Sequence, residues 1–190
     1  MANVRILDGT DSDTIILVDD NDKQVGLAPK MEVHRRGLKH RALSVLIRNV
    51  KGKMLLQQRA AGKYHSAGLW TNACCSHPRV GERNDKAASR RLLEEMGVDC
   101  DPLTELFVVQ YLAPVSNNLI ENELVHVFGG TFETGAVSPD YDEVSDWKWV
   151  SYDELTADIA AHPERYSAWL KHYLHNQGDA IAAWLRTPAS

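Results

Sequence analysis

Asn84-Asp85-Lys86-Ala87-Ala88-Ser89-Arg90-Arg91-Leu92-Leu93-Glu94-Glu95-Met96-Gly97-Val98 carries the clearest periodic signal in this chain. Ala87, Ala88, Leu92, Leu93 and Met96 recur at three- and four-residue spacing, Asn84 or Asp85 can cap the start, and Gly97 stops the run. The spacing therefore predicts a helix over residues 84–96. Arg91 and Glu95 are four apart and share one of its faces. They form either a solvated ion pair or a pair in which the carboxylate takes a phosphate-bridging metal and the guanidinium takes the phosphate directly.

Upstream, the β-branched stretch Thr14 to Val18, the turn chemistry of Asp19-Asp20-Asn21-Asp22 and the residues through Val25 read as strand, turn and short strand. Ala42 to Ile47, a turn at Asn49 to Lys53, and Met54 to Gln58 read as a β-hairpin that leaves Arg59 just beyond a strand. A small-residue stretch from Ala60 to Gly68 leads into Thr71-Asn72-Ala73-Cys74-Cys75-Ser76-His77-Pro78, where the proline keeps His77 extended. Downstream, strands are expected at Leu106 to Leu112, Glu121 to Phe132 and Trp147 to Val150. Ser151-Tyr152-Asp153-Glu154 reads as a capping box, and Pro163 as the first residue of a further helix running towards Gly178. The mixture of strands and helices without repeats or linkers gives an α/β (α+β) class, a mixed β-sheet layered with helices. One domain over residues 1–190 is expected, with 1–12 and 187–190 frayed.

Composition narrows the function. Of 190 residues, 44% are hydrophobic and 25% charged, which suits an ordinary folded domain with a buried core. Lys and Arg number 21 against 26 Asp and Glu, a net charge of −5 that offers no general attraction to nucleic acid or an anionic membrane. A basic site must then be small and locally assembled. No run approaches the length of a membrane span, and the first thirteen residues lack the apolar stretch of a signal peptide, so a cytoplasmic location is expected. Cys74, Cys75 and Cys100 are odd in number, and two are adjacent, which argues for reduced thiols.

His34 and His40 flank a basic segment, and His77 follows Cys75 by two. Glu121 and Glu123, also two apart, point to one face of a strand. Three imidazoles and two carboxylates suit a divalent ion of the Zn, Mn or Mg group.

The segment Arg90 to Val98, with Gly81-Glu82 before it, resembles the Nudix box of diphosphate-handling enzymes, except that Ser76 stands where a glycine opens the box and Arg91 replaces its first glutamate. Taken in order, Gly37-Leu38-Lys39-His40-Arg41-Ala42, the Thr71 to Pro78 segment, the altered box and Glu121-Asn122-Glu123 resemble the type I isopentenyl diphosphate isomerases, from about Lys30 to Trp169. The resemblance implies a single Nudix-like domain, a mixed sheet sandwiched between helices. It implies an isomerase that interconverts isopentenyl and dimethylallyl diphosphate by protonation and deprotonation through a carbocation, with a Nudix diphosphohydrolase as the rival activity. Cys75 and Glu123 would be the catalytic residues and Tyr111 the tyrosine that hydrogen-bonds Glu123. His34, His40, His77, Glu121 and Glu123 would hold one Zn²⁺, Mn²⁺ or Mg²⁺. Glu95 and the Cys75 carbonyl would hold a second, diphosphate-bridging Mg²⁺. Lys30, Arg59, Lys63 and Arg91 would bind the diphosphate, and Trp169 would line the hydrocarbon pocket, a role also open to Trp70. The implied partner is a small allylic or homoallylic diphosphate, with no nucleic acid and no membrane, for a monomer or homodimer. No flavin is expected, since no dinucleotide-binding glycine pattern precedes a helix.

Overall fold

Helix α2 (Asn84–Met96) occupies the residues its periodicity marks, burying Ala87, Ala88, Leu92 and Met96 on one stripe. The computed structural model describes residues 13–187, and the expectation of frayed ends at 1–12 and 188–190 falls outside them. Neither Asn84 nor Asp85 caps α2: Arg83 stands at the cap position without a side-chain bond, and Asp85 lies in the first turn, paired with Arg83 at 2.9 Å. A carboxylate there still opposes the positive end of the helix dipole. Gly97 ends the helix at φ 62°, and its amide donates to the Leu93 carbonyl.

The chain runs β1 (Thr14–Val18), β2 (Gln24–Pro29), α1 (Lys30–Arg36), β3 (His40–Asn49), β4 (Met54–Arg59), β5 (Trp70–Asn72) and β6 (Cys74–Ser76), then α2. After it come β7 (Thr104–Val115), β8 (Leu119–Phe132), β9 (Val144–Val150), α3 (Tyr152–Ala161) and α4 (Ala168–Arg186). The expected capping box is present: the Ser151 hydroxyl accepts from the Glu154 amide, and the Glu154 carboxylate accepts from the Ser151 amide. Pro163 opens a single 3-10 turn, Pro163–Arg165, instead of the long helix expected from it. That helix starts at Ser167, whose hydroxyl caps it by accepting from the Leu170 amide. Thr187, expected to fray, donates its amide to the Ala183 carbonyl at 3.2 Å and accepts from Arg48 at 2.7 Å.

β3 is the centre of the sheet. One edge pairs in parallel with β8 along its whole length, from His40↔Glu123 to Asn49↔Phe132. The other edge is shared in succession by β1 at His40, by β6 at Leu43 to Val45 and by β4 at Arg48. The expected hairpin of β3 and β4 thus pairs only beside its turn, and β4 leaves to join β5 and β9. Alternation along β3 gives the sheet two covered faces. Leu43, Val45 and Ile47 pack with Ala88, Leu92 and Met96 of α2, while Ala42 and Leu46 pack with Leu155, Trp169, Leu170 and Leu185 of α3 and α4. The expected mixed sheet between helices is therefore present, in one domain.

Gly97 also fixes how the α2 end meets the loop before β9. An added Cβ would lie 2.4 Å from the Ser138 carbonyl oxygen, and φ is left-handed. Gly97→Ala should lower stability by about 2 kcal/mol or more, read from the urea midpoint, combining left-handed strain with the clash. An unchanged midpoint would mean that neither constraint operates.

Candidate active site

Register brings the chemistry together. His40 lies opposite Glu123 on β8, and Glu123 lies opposite Tyr111 on β7, so three side chains line up across three strands. On the other edge of β3, Cys75 lies opposite Ser44, four residues along from His40. Lys30, Arg59, Lys63, Cys75, His77, Arg91, Glu95, Tyr111, Glu121, Glu123 and Trp169 all line one cavity. His34 and His40, at 0% exposure, stand behind Glu121 and Glu123, at 3% and 9%.

The two buried histidines are oriented by backbone carbonyls. His34 Nδ1 bonds the Lys30 carbonyl at 2.7 Å and His40 Nδ1 the Leu38 carbonyl at 2.8 Å. A carbonyl only accepts, so each Nδ1 carries a hydrogen and each ring turns its Nε2 towards the carboxylates. His34 Nε2 is 3.5 Å from Glu121 Oε2, and His40 Nε2 and His77 Nε2 are each 3.4 Å from Glu123 Oε1. His40 Nε2, His77 Nε2 and Glu121 Oε2 are buried without a hydrogen-bond partner. Buried polar atoms are rarely left so, and these converge on one point. His34, His40, His77 and Glu123 offer ligand atoms all within 4.8 Å of one another, as do His34, His65 and Glu121. The donor set fits a divalent cation with mixed nitrogen and oxygen ligands.

Electrostatics agree with that geometry. Burial opposes ionisation of Glu121, but His34 and His65 outweigh it and hold the carboxyl well below the usual range. Burial pushes His77 down to about 4, leaving it neutral. On His40 burial again opposes charge, yet Glu123 and the Leu38 carbonyl outweigh it and raise its proton affinity.

Cys75 sits at the edge of the cavity in a hydrogen-bonded cradle. Its thiol donates to Asn72 Oδ1 at 3.3 Å and its sulfur lies 3.1 Å from Ser44 Oγ. The Asn72 amide donates to Ser44 Oγ and to the Val45 and Cys74 carbonyls, each at 2.9 Å, so Asn72 is fixed before it holds the thiol. Burial pushes the Cys75 pKa up to about 12, so at neutral pH it is a proton-bearing thiol. Cys74 points the other way and is buried among Ala87, Ala88 and Leu92. Across the cavity the Tyr111 hydroxyl donates to Glu123 Oε2 at 2.5 Å.

The basic residues gather at the third side. Arg91 pairs with Glu95, which is 2% exposed and also accepts from Gln57 at 3.1 Å. The Arg91–Glu95 pair thus faces a cavity and is no solvated surface bridge. Arg59 lies 5.3 Å over the Trp169 ring, and Lys30 lies 4.5 Å over Tyr64. Burial lowers the proton affinity of Lys30 and Lys63. Trp70, a sequence candidate for the pocket, is a core residue with Lys148 over its ring and does not line the cavity.

Sequence reasoning missed His65, which bonds Glu121; Glu143, which pairs with Lys63 and Arg91; and Asn72 and Ser44, which hold the thiol. Glu143 ends the acidic run from Asp140 and His65 lies within the small-residue stretch before β5, and neither has a sequence spacing that relates it to the residues it meets.

The NUDIX domain family matches residues 38–172. The chain is 51% identical to isopentenyl-diphosphate Delta-isomerase 2 of Aromatoleum aromaticum over 158 residues, covering 83% of this chain and 82% of that protein. It is 49% identical to isopentenyl-diphosphate Delta-isomerase 2 of Photorhabdus laumondii, covering 90% and 97% of the two chains. Among solved structures it resembles the MutT protein of Methanosarcina mazei, with a TM-score of 0.62 at 20% identity, over 78% of this chain and 96% of that one.

A cation bound at this donor set would compete with the proton for His40, whose proton affinity is raised. Mn²⁺ affinity measured by chelator competition should rise from pH 6 to pH 8, by up to about tenfold per unit for each proton displaced. Affinity that is flat or falls with pH would contradict this.

Proposed function

This chain belongs to the Nudix family and, within it, to the isopentenyl-diphosphate Delta-isomerases, and from that premise we propose how its own residues divide the reaction. The enzyme interconverts isopentenyl diphosphate and dimethylallyl diphosphate, moving a carbon–carbon double bond by one position. The substrate is a small diphosphate and the reaction depends on a divalent metal. Cys75 and Glu123 are the two acid–base groups of this reading. One delivers a proton to the terminal alkene carbon, a tertiary cation forms, and the other takes a proton from the carbon next to the one bearing the diphosphate. The observation that carries the assignment is the pairing, around one cavity, of a thiol held between Ser44 and Asn72 with a carboxylate held by Tyr111. Two such groups, each fixed by neighbours, meet the need for proton exchange at two carbons without free water.

Lys30, Arg59, Lys63 and Arg91 hold the diphosphate. Binding energy from that unreactive end then positions the alkene between the catalytic pair. Trp169 closes the hydrocarbon end, and its ring face favours the cation while excluding solvent, a contribution of about 1–2 kcal/mol. A Zn²⁺, Mn²⁺ or Mg²⁺ held by His34, His40, His77, Glu121 and Glu123 would stabilise the Glu123 anion and set its proton affinity, and a Mg²⁺ held by Glu95 and the Cys75 carbonyl would neutralise diphosphate charge. The diphosphohydrolase reading is weaker, because Arg91 occupies a glutamate position of the box and pairs with Glu95, leaving one fewer anion for hydrolytic metals. A cytoplasmic location is supported by three free cysteines, and among the described residues no helix is long and apolar enough to cross a membrane.

Proton NMR of the protein with isopentenyl diphosphate and Mg²⁺ in deuterated water should show dimethylallyl methyl signals with deuterium incorporation. Cys75→Ala should slow their appearance by about 10²–10⁴-fold. Pyrophosphate or orthophosphate release without isomerisation would favour hydrolysis instead. Arg91→Ala should raise KM by about 10- to 100-fold, the loss of one charge-assisted contact. A KM left unchanged with slower turnover would remove Arg91 from diphosphate binding.

A further inference from the structure

We propose that His65 is a positioning residue of the cation centre, holding Glu121 by one carboxylate oxygen so that the other is left for the metal. The inference rests on the reading of Glu121 as a ligand. His65 Nε2 lies 2.7 Å from Glu121 Oε1, and His65 is 3% exposed. Glu121 Oε2 has no hydrogen-bond partner and faces His34 Nε2 at 3.5 Å and His40 Nε2 at 3.9 Å. The two oxygens of one carboxylate are thus differently committed, one to His65 and one to the inward Nε2 atoms of His34 and His40. A carboxylate only accepts, so Nε2 of His65 carries the hydrogen, and its Nδ1, 3.2 Å from Ser66 Oγ, accepts from that hydroxyl.

This hydrogen placement separates His65 from the other histidines. His34 and His40 bind backbone carbonyls through Nδ1 and turn Nε2, the atom a cation would use, inward. His65 turns an N–H inward and has no lone pair aimed at the centre, so it acts on the ligand instead of the ion. Hydrogen bonds of this kind fix the orientation and basicity of a ligating group.

The segment carrying His65 is clamped from several sides. The Ser66 amide donates to Ser116 Oγ at 2.8 Å, Asn117 donates to the Tyr64 carbonyl at 2.7 Å, and Arg59 donates to the His65 carbonyl at 3.0 Å. Ser66 adopts φ 51°, a left-handed conformation unfavourable for a residue with a side chain. Such a conformation persists where surroundings over-determine it, and here they place the imidazole against Glu121. Arg59 also binds through this carbonyl, so the same residue joins the cation centre to the diphosphate side of the cavity.

The test is Mn²⁺ affinity of the full chain by EPR-monitored titration, for wild type, His65→Ala, His65→Asn, His65→Gln and Glu121→Gln. His65→Ala should weaken binding by about 10- to 100-fold, and His65→Gln, whose amide can still reach Glu121, should stay within about threefold of wild type. His65→Asn, too short to reach, should lose affinity like the alanine variant and stands in for it if that variant folds poorly. Wild-type affinity in His65→Ala and His65→Asn would overturn the proposal. Equal losses in the alanine and glutamine variants would overturn it too, by showing that the imidazole itself is required. Wild-type affinity in Glu121→Gln would instead overturn the reading of the centre itself, a failure separate from that of His65.

Discussion

The parallel ladder between β3 and β8 governs where the imidazole and carboxylate groups of the candidate centre meet. Ten consecutive register pairs, beginning at His40↔Glu123, fix two strands whose inward residues include an imidazole and a carboxylate side by side. A slip of one residue would turn Glu121 and Glu123 to the opposite face together, since they share a pleat. The ladder lies in the middle of the sheet with helices on both faces, so these groups are taken out of water. Burying carboxylates and imidazoles is costly unless each finds a partner, and here they partner one another, Tyr111, and by the proposal a cation.

The other edge of β3 accounts for the thiol. Because β1, β6 and β4 take turns along that edge, none runs its full length, and the short β6 places Cys75 beside Ser44 with His77 just past the strand end. Alternation on β6 then sends the two adjacent cysteines to different fates, Cys74 into the core under α2 and Cys75 to the cavity. The helix that supplies this cover also supplies Arg91 and Glu95, so the packing stripe and the cavity-facing row are two faces of one element. In a chain of net charge −5, four cations still converge from α1, β4, the following loop and α2 onto one cavity, where the proposal places the diphosphate.

Much of this was legible in the residues because it is local. The α2 stripe, its Gly97 stop and the Ser151 box depend on neighbours within one or two turns, and the structure reproduces them. The long β8 was visible as an apolar run, and Glu121 and Glu123 two apart necessarily share a face. Features set by long-range pairing were not legible. The β3–β4 turn looks like a hairpin, but β6 takes that edge of β3 and β5 that edge of β4, so the hairpin ladder stops beside its turn. Helix α1 is only seven residues long and rich in basic residues, too short to show an apolar stripe, and is held by packing of Val33 and His34 beneath it. Pro163 begins a turn because Ser167 is the better helix cap. His65 carries no spacing signal relative to Glu121, since the two meet only through the fold.

The central claim is that His34, His40, His77, Glu121 and Glu123 converge on one cation. Anomalous diffraction at the manganese edge, from crystals grown with Mn²⁺, tests it most directly. The account predicts a strong peak within about 2.0–2.6 Å of imidazole nitrogens and carboxylate oxygens from these residues. A strong peak elsewhere, with those five side chains bonded only to one another, would contradict it.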